Sequence, residues 1–344
     1  MKTLADLKRN FDIELTNRCN ALCHFCPRDE TPQQGFMTFD TFRQAIARAE
    51  ELKTMPNINT TGQGEPLIHP EIEKFVAYCG KKNIPHGMTT NASLLTEEKS
   101  SSLLDAGLKK LNISVSDLES TYEDVYALGW ENTFKNILNF VRLNNGRAAL
   151  TINIVSHEYN FDKIEKMKDF WRGHGIAEFL VFNQTNRGGA CKHGNFFLNN
   201  DKYFDEAEAI LGEAKLSGMC SAPFDYLFLG WNGNYYICCN DYRKTTVLGN
   251  VFEYGIEEID VLKRATMAKG IQACVDCNVD PVNRIREKLF EIEHGISSKK
   301  DLDRAVRGLV THYSTLPDEL NDPDWKSPHR IGVDNNLIDI KNLD

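Results

Sequence analysis

The sequence predicts an α/β protein: a partial (β/α)6 TIM-like barrel followed by a small C-terminal α+β domain. Three features carry this reading. Short apolar, β-branched runs alternate with helical patterns through the first 205 residues, the signature of parallel strands joined by right-handed crossovers. Six strands are too few to close an eight-stranded barrel, so the sheet is expected to stay open. After residue 205 the alternation gives way to a hairpin signal.

Taken in order, the expected strands are Phe11–Leu15, Asn57–Gly62, His86–Thr90, Lys110–Val115, Leu150–Val155 and Glu178–Phe182. Helices are expected near 40–54, 70–82, 96–106, 131–144 and 161–173, with Thr96 ahead of Glu97 and Glu98 as a helix start. Asp225–Gly230 and Tyr235–Cys238 flank Trp231-Asn-Gly-Asn, a strong hairpin signal. Helical stretches near 256–268 and 281–293 follow. The expected division is a barrel over 1–205, an α+β unit over 206–290 and a tail over 291–344, the tail being a partner-binding or lid segment or a loosely ordered end.

Composition excludes several classes. The 344 residues are 41% hydrophobic, enough for a sizeable core. No apolar run approaches the roughly 20 residues that span a bilayer, and the first residues lack an apolar signal-peptide core. A cytoplasmic location is therefore expected, with no membrane partner. The formal net charge of −9 argues against duplex nucleic acid, whose binding needs a basic footprint. Ten cysteines in such a protein point to metal or catalysis before disulfides.

Three of these cysteines lie in Cys19-Asn-Ala-Leu-Cys23-His-Phe-Cys26, on the loop that leaves the first strand. Three thiolates on one short loop can face one metal centre. A four-iron cluster normally takes four ligands, so three leave one iron open. An open position distinguishes catalytic from structural metal sites. The alternative is a zinc knuckle with His24 as fourth ligand, for which His24, adjacent to Cys23, is poorly placed.

This C-x3-C-x2-C loop, with Phe25 before its last cysteine, resembles the signature of the radical S-adenosylmethionine (SAM) superfamily. The resemblance implies a [4Fe–4S] cluster on Cys19, Cys23 and Cys26, with SAM chelated by the open iron and Phe25 near its adenine. It implies reductive cleavage of SAM to a 5′-deoxyadenosyl radical, with an electron donor such as flavodoxin or ferredoxin. Gly62-Gln-Gly64-Glu65-Pro66, after the second strand, looks like the family's Gly-Gly-Glu-Pro element that holds the SAM amino group, with Gln63 in place of the first glycine. Alone it would be read as a turn. Other SAM-binding candidates are Asn91 (followed by Ala92 where the family has glycine), Ser114 and Ser116, which could equally cap backbone, and Asn153. Arg187, in Asn186-Arg187-Gly188-Gly189, could clasp SAM or substrate or belong to an ordinary turn.

Cys220, Cys238, Cys239 and Cys274-Val-Asp-Cys277 form the second group. Four thiolates from three places can enclose a metal, and structural zinc would fit by itself. Beside the first loop, the region resembles twitch, the shortened SPASM module, and that implies an auxiliary [4Fe–4S] cluster on Cys220, Cys238, Cys274 and Cys277. Cys239 is then spare: a substitute ligand, a hydrogen donor to a substrate radical, or inert. Cys79 and Cys191 have no partner pattern. The expected function is a radical SAM oxidoreductase acting on a small molecule, by dehydrogenation or epimerisation. No peptide-binding module is expected ahead of the first strand. The alternatives are maturation of a ribosomal peptide, a two-cluster electron carrier and a zinc-binding protein.

Overall fold

Just before the cysteine loop, alternation between polar and apolar side chains sets the first strand, and the same alternation builds the sheet around it. In the computed structural model, which describes residues 3–31, 33–191, 201–322 and 325, six parallel strands run β1 (Asn10–Ile13), β2 (Asn57–Thr60), β3 (His86–Thr90), β4 (Lys110–Ser114), β5 (Ala149–Ser156) and β6 (Phe179–Asn183). Helices α1 (Phe39–Glu50), α2 (Ile72–Lys81), α3 (Glu97–Asp105), α4 (Glu119–Tyr126), α5 (Trp130–Asn144) and α6 (Ile164–Gly173) connect them. Thr96 caps α3 as expected, its side chain accepting from the Lys99 amide. The expected elements are all present within a few residues, whereas α4 was not foreseen.

Phe11, Ile13, Ile58, Met88, Leu111, Ile113, Ile152 and Ile154 are buried in the core. The alternate positions Asp12, Asn59, Thr89, Asn112, Ser114 and Asn153 line an interior cavity. This is the two-residue period of a strand with different surroundings on its two faces.

Beyond the barrel come α7 (Phe204–Glu213), α8 (Ala222–Asp225), β7 (Tyr226–Leu229), β8 (Asn234–Tyr236), β9 (Val247–Asn250), α9 (Ile256–Lys269), α10 (Gln272–Val275), α11 (Pro281–Glu293) and α12 (Lys299–Tyr313). The expected hairpin forms, but it continues the barrel sheet rather than making a sheet of its own. The strand order is β6-β5-β4-β3-β2-β1-β7-β8-β9. β7 pairs parallel with β1, Asn10 opposite Tyr226 through Ile13 opposite Leu229. The described part of the tail is also no loose end: α12 packs on α11. Ser221 hydrogen-bonds His312 at 2.8 Å, and Asn321 accepts from the Ser217 amide at 2.9 Å. Among the described residues, no helix is long and apolar enough to cross a membrane.

A buried ion pair ties the two halves together. Arg9, just before β1, donates to both carboxylate oxygens of Asp260 on α9 at 2.8 and 2.7 Å, with both side chains almost fully enclosed. Lys263 is buried one turn further along α9, hydrogen-bonded to the Pro223 carbonyl, and burial pushes its pKa down to about 8. Removing one member of a buried pair leaves an uncompensated charge. Asp260→Ala is expected to cost about 3–5 kcal/mol, read as an earlier midpoint in anaerobic urea denaturation. A loss below about 1 kcal/mol, typical of an exposed pair, would show that the pair does not hold the halves together.

Candidate active site

The loop that carries Cys19, Cys23 and Cys26 leaves the C-terminal end of β1 and is fixed by its own backbone and by α4. Arg28 donates to the carbonyls of Cys19 (3.1 Å) and Ala21 (3.0 Å). The amides of Leu22 and His24 donate to the carbonyls of Tyr126 (2.9 Å) and Val125 (3.1 Å), at the end of α4. The unforeseen helix is thus a support for the loop, satisfying its own last carbonyls as it does so. Burial pushes the Cys19 thiol up to about 11 and the Cys23 thiol well above its ordinary range, with the neighbouring thiols adding to both. Metal binding displaces such protons outright.

His24 packs instead among Phe25, His157 and Tyr159, with ring centroids 5.3, 4.9 and 5.2 Å away. Among the described residues, no three His, Cys, Asp or Glu side chains close around a point that a single metal ion would fill.

The barrel interior holds a cavity of about 580 Å³. Phe25, Cys26, Ser114, Asn153 and Arg187 line it, as does Cys239. Gly64, Glu65, Asn91 and Ser116 stand outside that lining. Glu65 accepts from the Thr90 hydroxyl (2.7 Å) and from the amides of Leu67 (3.0 Å) and Asn91 (2.8 Å), and burial pushes its pKa up to about 7. A Cβ on Gly64 would lie 2.4 and 2.5 Å from the carbonyl oxygens of Thr16 and Arg18, so only glycine lets this turn close against the cysteine loop. Asn91 donates to Asn20 and accepts from Ser93. Ala92 adopts a φ of +60°, where a glycine would sit without strain. The Ser116 hydroxyl accepts from Tyr126 and from the Val155 amide, both at 2.9 Å.

Sequence reasoning missed the lower wall of the cavity: Asn10, Asp12, Asn59, Thr89, Lys110 and Asn112. Asp12 is nine-tenths buried and takes a single hydrogen bond, from Asn59 at 3.3 Å. The side-chain oxygens of Asn112 and Asn153 are buried without a partner. Buried polar atoms are normally satisfied, so these two are suited to a polar ligand. The signal was available in the polar positions that alternate with apolar ones along β1, β2 and β4.

Cys220, Cys238, Cys274 and Cys277 line a separate small pocket with Asp241 and Asp280. Consecutive residues Cys238 and Cys239 line different spaces, the first this pocket and the second the barrel cavity, although their thiols lie close enough to hydrogen-bond. The two spaces share a wall of Ala222, Asn240 and Val279. A hydrogen bond to Cys238, together with burial, holds the Cys239 thiol well above its ordinary range. The Asn186–Gly189 loop docks on the second cysteine group through reciprocal amide bonds between Asn186 and Asn278 at 3.0 and 3.1 Å. Gly188, at φ +60°, lies where a Cβ would be 2.7 Å from the Asn240 carbonyl oxygen. Cys191 sits beside the first group, its thiol 3.6 Å from the Phe25 carbonyl oxygen. Cys79 is buried on α2.

Comparison with known proteins agrees with this geometry. Residues 13–170 match the model of the radical SAM superfamily, and residues 220–278 match that of an iron–sulfur cluster-binding domain, SPASM. A GTP 3′,8-cyclase of Sulfurimonas denitrificans is 33% identical over 241 residues, 67% of this chain and 70% of that protein. The chain belongs to the radical SAM superfamily. It is also similar to a tungsten-containing aldehyde ferredoxin oxidoreductase cofactor-modifying protein of Pyrococcus furiosus (25% identity) and to a PqqA peptide cyclase of Bradyrhizobium diazoefficiens (25%). Those alignments cover 50% and 65% of this chain, and 50% and 62% of the two relatives. Among solved structures, SuiB of Streptococcus suis bound to SAM aligns with a TM-score of 0.58 at 16% identity, covering 79% of this chain and 71% of SuiB. BtrN in complex with SAM and 2-DOIA aligns with a TM-score of 0.50 at 18% identity, covering 81% and 94%. These likenesses establish the fold, a partial TIM-like barrel with a C-terminal cluster domain.

The cofactors of this radical SAM enzyme are two [4Fe–4S] clusters and SAM. The residues present fit them: Cys19, Cys23 and Cys26 share a short loop, close enough to raise one another's pKa, with Cys26 at the cavity wall, and four more thiols line a separate pocket. Asp12, at the cavity wall, provides a check on this environment. Burial pushes its pKa up to about 7, against about 3.9 in an unfolded chain. Between those values the folded state binds more protons, so stability falls as pH rises from about 4 to about 7. Asp12→Asn is expected to flatten that slope and to be more stable than the parent at pH 8. Thermal midpoints at pH 5 and pH 8 check this, and an unchanged difference between the two proteins would contradict it.

Proposed function

We propose that the chain is a radical SAM oxidoreductase for a small polar molecule bound in the barrel cavity, with the auxiliary cluster exchanging an electron with the substrate. In this reading Cys19, Cys23 and Cys26 hold the catalytic cluster, and Cys220, Cys238, Cys274 and Cys277 hold the auxiliary one. Together the catalytic cluster and SAM supply a 5′-deoxyadenosyl radical that removes a hydrogen atom from the substrate. Phe25, Ser114, Asn153 and Arg187 bind SAM or the adjoining part of the substrate from the cavity wall, and Gly64, Glu65, Asn91 and Ser116 hold the surrounding backbone. Asp12, Asn59 and Asn112 offer hydrogen-bonding groups to a polar ligand. The observation that carries the reading is the wall of Ala222, Asn240 and Val279 shared by the cavity and the four-cysteine pocket. It supports short-range electron exchange and hence dehydrogenation. A soluble donor such as flavodoxin or ferredoxin would deliver the first electron.

Two other readings each rest on one observation. Cys239 faces the cavity rather than the auxiliary pocket, which supports hydrogen return to a substrate radical, and so epimerisation. Peptide maturation draws support from the open sheet edge: β6 ends the strand order, and Leu180, Val181 and Phe182 are 43%, 41% and 45% exposed. It draws support too from similarity to PqqA peptide cyclase and to SuiB, which has been solved bound to its precursor peptide SuiA.

The reading is tested by anaerobic reconstitution, reduction with dithionite and addition of SAM. The parent is expected to form 5′-deoxyadenosine, while the Cys19→Ala, Cys23→Ala, Cys26→Ala triple variant falls to background. Equal cleavage by both proteins would overturn the assignment of the catalytic ligands. With a substrate in hand, turnover in heavy water separates the two outcomes. Hydrogen return by Cys239 places one solvent deuterium in the product and is lost in Cys239→Ala, whereas dehydrogenation places none.

A further inference from the structure

Tyr242 lies four residues beyond Cys238, in the C-terminal part of the chain, yet its hydroxyl oxygen is 3.0 Å from the Cys26 sulfur. The residue is 3% exposed. Its position is held from several sides. The Gln63 side-chain amide donates to the Tyr242 carbonyl at 2.8 Å, and the Gln63 side-chain oxygen accepts from Thr31 on the cysteine-loop side at 3.4 Å. The Gln63 backbone amide donates to Glu14 at 2.9 Å. Glu14 pairs in turn with Lys244, two residues past Tyr242, and both side chains are buried. Gln63 occupies the position where the family element has glycine, and the contact with Tyr242 gives that departure a purpose.

A thiolate bound to iron carries no proton, so the tyrosine must be the donor in the Tyr242–Cys26 contact. The other acceptor within reach is the Gln63 carbonyl oxygen at 3.4 Å. A charged sulfur at 3.0 Å is the stronger acceptor of the two. Hydrogen bonds to cluster sulfurs stabilise the more negative, reduced state and raise the reduction potential.

We propose that the Tyr242 hydroxyl donates a hydrogen bond to the Cys26 sulfur and thereby raises the potential of the catalytic cluster, so that docking of the C-terminal part of the chain tunes the centre that cleaves SAM. Tyr242 is a positioning residue in this scheme, acting through Cys26 and not on the substrate. The proposal rests on Cys26 being a ligand of the catalytic cluster.

The test is a reductive titration of the full reconstituted chain, followed by electron paramagnetic resonance, with the catalytic cluster assigned as the one whose signal changes when SAM is added. Tyr242→Phe is expected to keep the iron and sulfide of both clusters and to make the catalytic cluster about tenfold harder to reduce at a fixed potential, a shift of about 59 mV to lower potential for one electron. Gln63→Ala keeps the hydroxyl but frees the main chain behind it, and is expected to shift the midpoint the same way by less. An unchanged midpoint in Tyr242→Phe, or loss of the catalytic cluster from it while Gln63→Ala keeps the parent midpoint, overturns the proposal. A SAM-responsive signal that persists in Cys26→Ala would instead overturn the ligand assignment beneath it.

Discussion

The parallel pairing of β7 with β1 is the constraint on which the rest of the structure depends. β1 is flanked by β2 on one side and β7 on the other. Its end carries the cysteine loop, and the Glu14 amide just beyond it donates to the Leu229 carbonyl at 2.9 Å. Ladder pairing fixes register strongly where a face is buried, so the chain from Tyr226 onward is laid against β1 in one alignment. That alignment brings Tyr242 to Cys26, Lys244 to Glu14 and Cys239 to the cavity. The Arg9–Asp260 pair locks the same junction from the start of β1.

The chemistry follows from two spaces with one wall between them. The inward positions of β1 to β5 supply polar groups to the wall of the barrel cavity, where the proposed radical chemistry would take place. Electron exchange with a second cluster needs proximity without mixing of the two sites. In the proposed function Cys238 and Cys239, neighbours in sequence that line different spaces, stand on either side of that separation. Asn240 follows them in the shared wall, its backbone amide 3.5 Å from the Cys238 sulfur.

What was legible in the sequence is what local pattern encodes. Six βα units were readable from periodicity, the two cysteine groups from spacing, and the hairpin from Asn232-Gly233. The polar cavity wall is equally present as alternation in Asn10-Phe11-Asp12-Ile13 and Lys110-Leu111-Asn112-Ile113-Ser114. Long-range contacts could not be read. Nothing near Tyr226 announces that it pairs with Asn10, some two hundred residues earlier in the chain. Nothing in α12 announces that His312 will hydrogen-bond Ser221, next to Cys220, or that Tyr313 will bond the Met219 carbonyl. Nor does the sequence announce that Glu65 accepts from the Leu67 and Asn91 amides, or Ser116 from the Val155 amide, bonds that satisfy buried backbone groups.

The assignment of Cys238 and Cys239 to different spaces is the most direct point at which to test this picture. Iron and sulfide should be counted in the anaerobically reconstituted parent, in Cys238→Ala and in Cys239→Ala. The expected result is about eight irons in the parent and in Cys239→Ala, and about four in Cys238→Ala, since each cluster holds four. Loss of a cluster from Cys239→Ala with full occupancy in Cys238→Ala would contradict it, and would mean that the two side chains serve the opposite spaces.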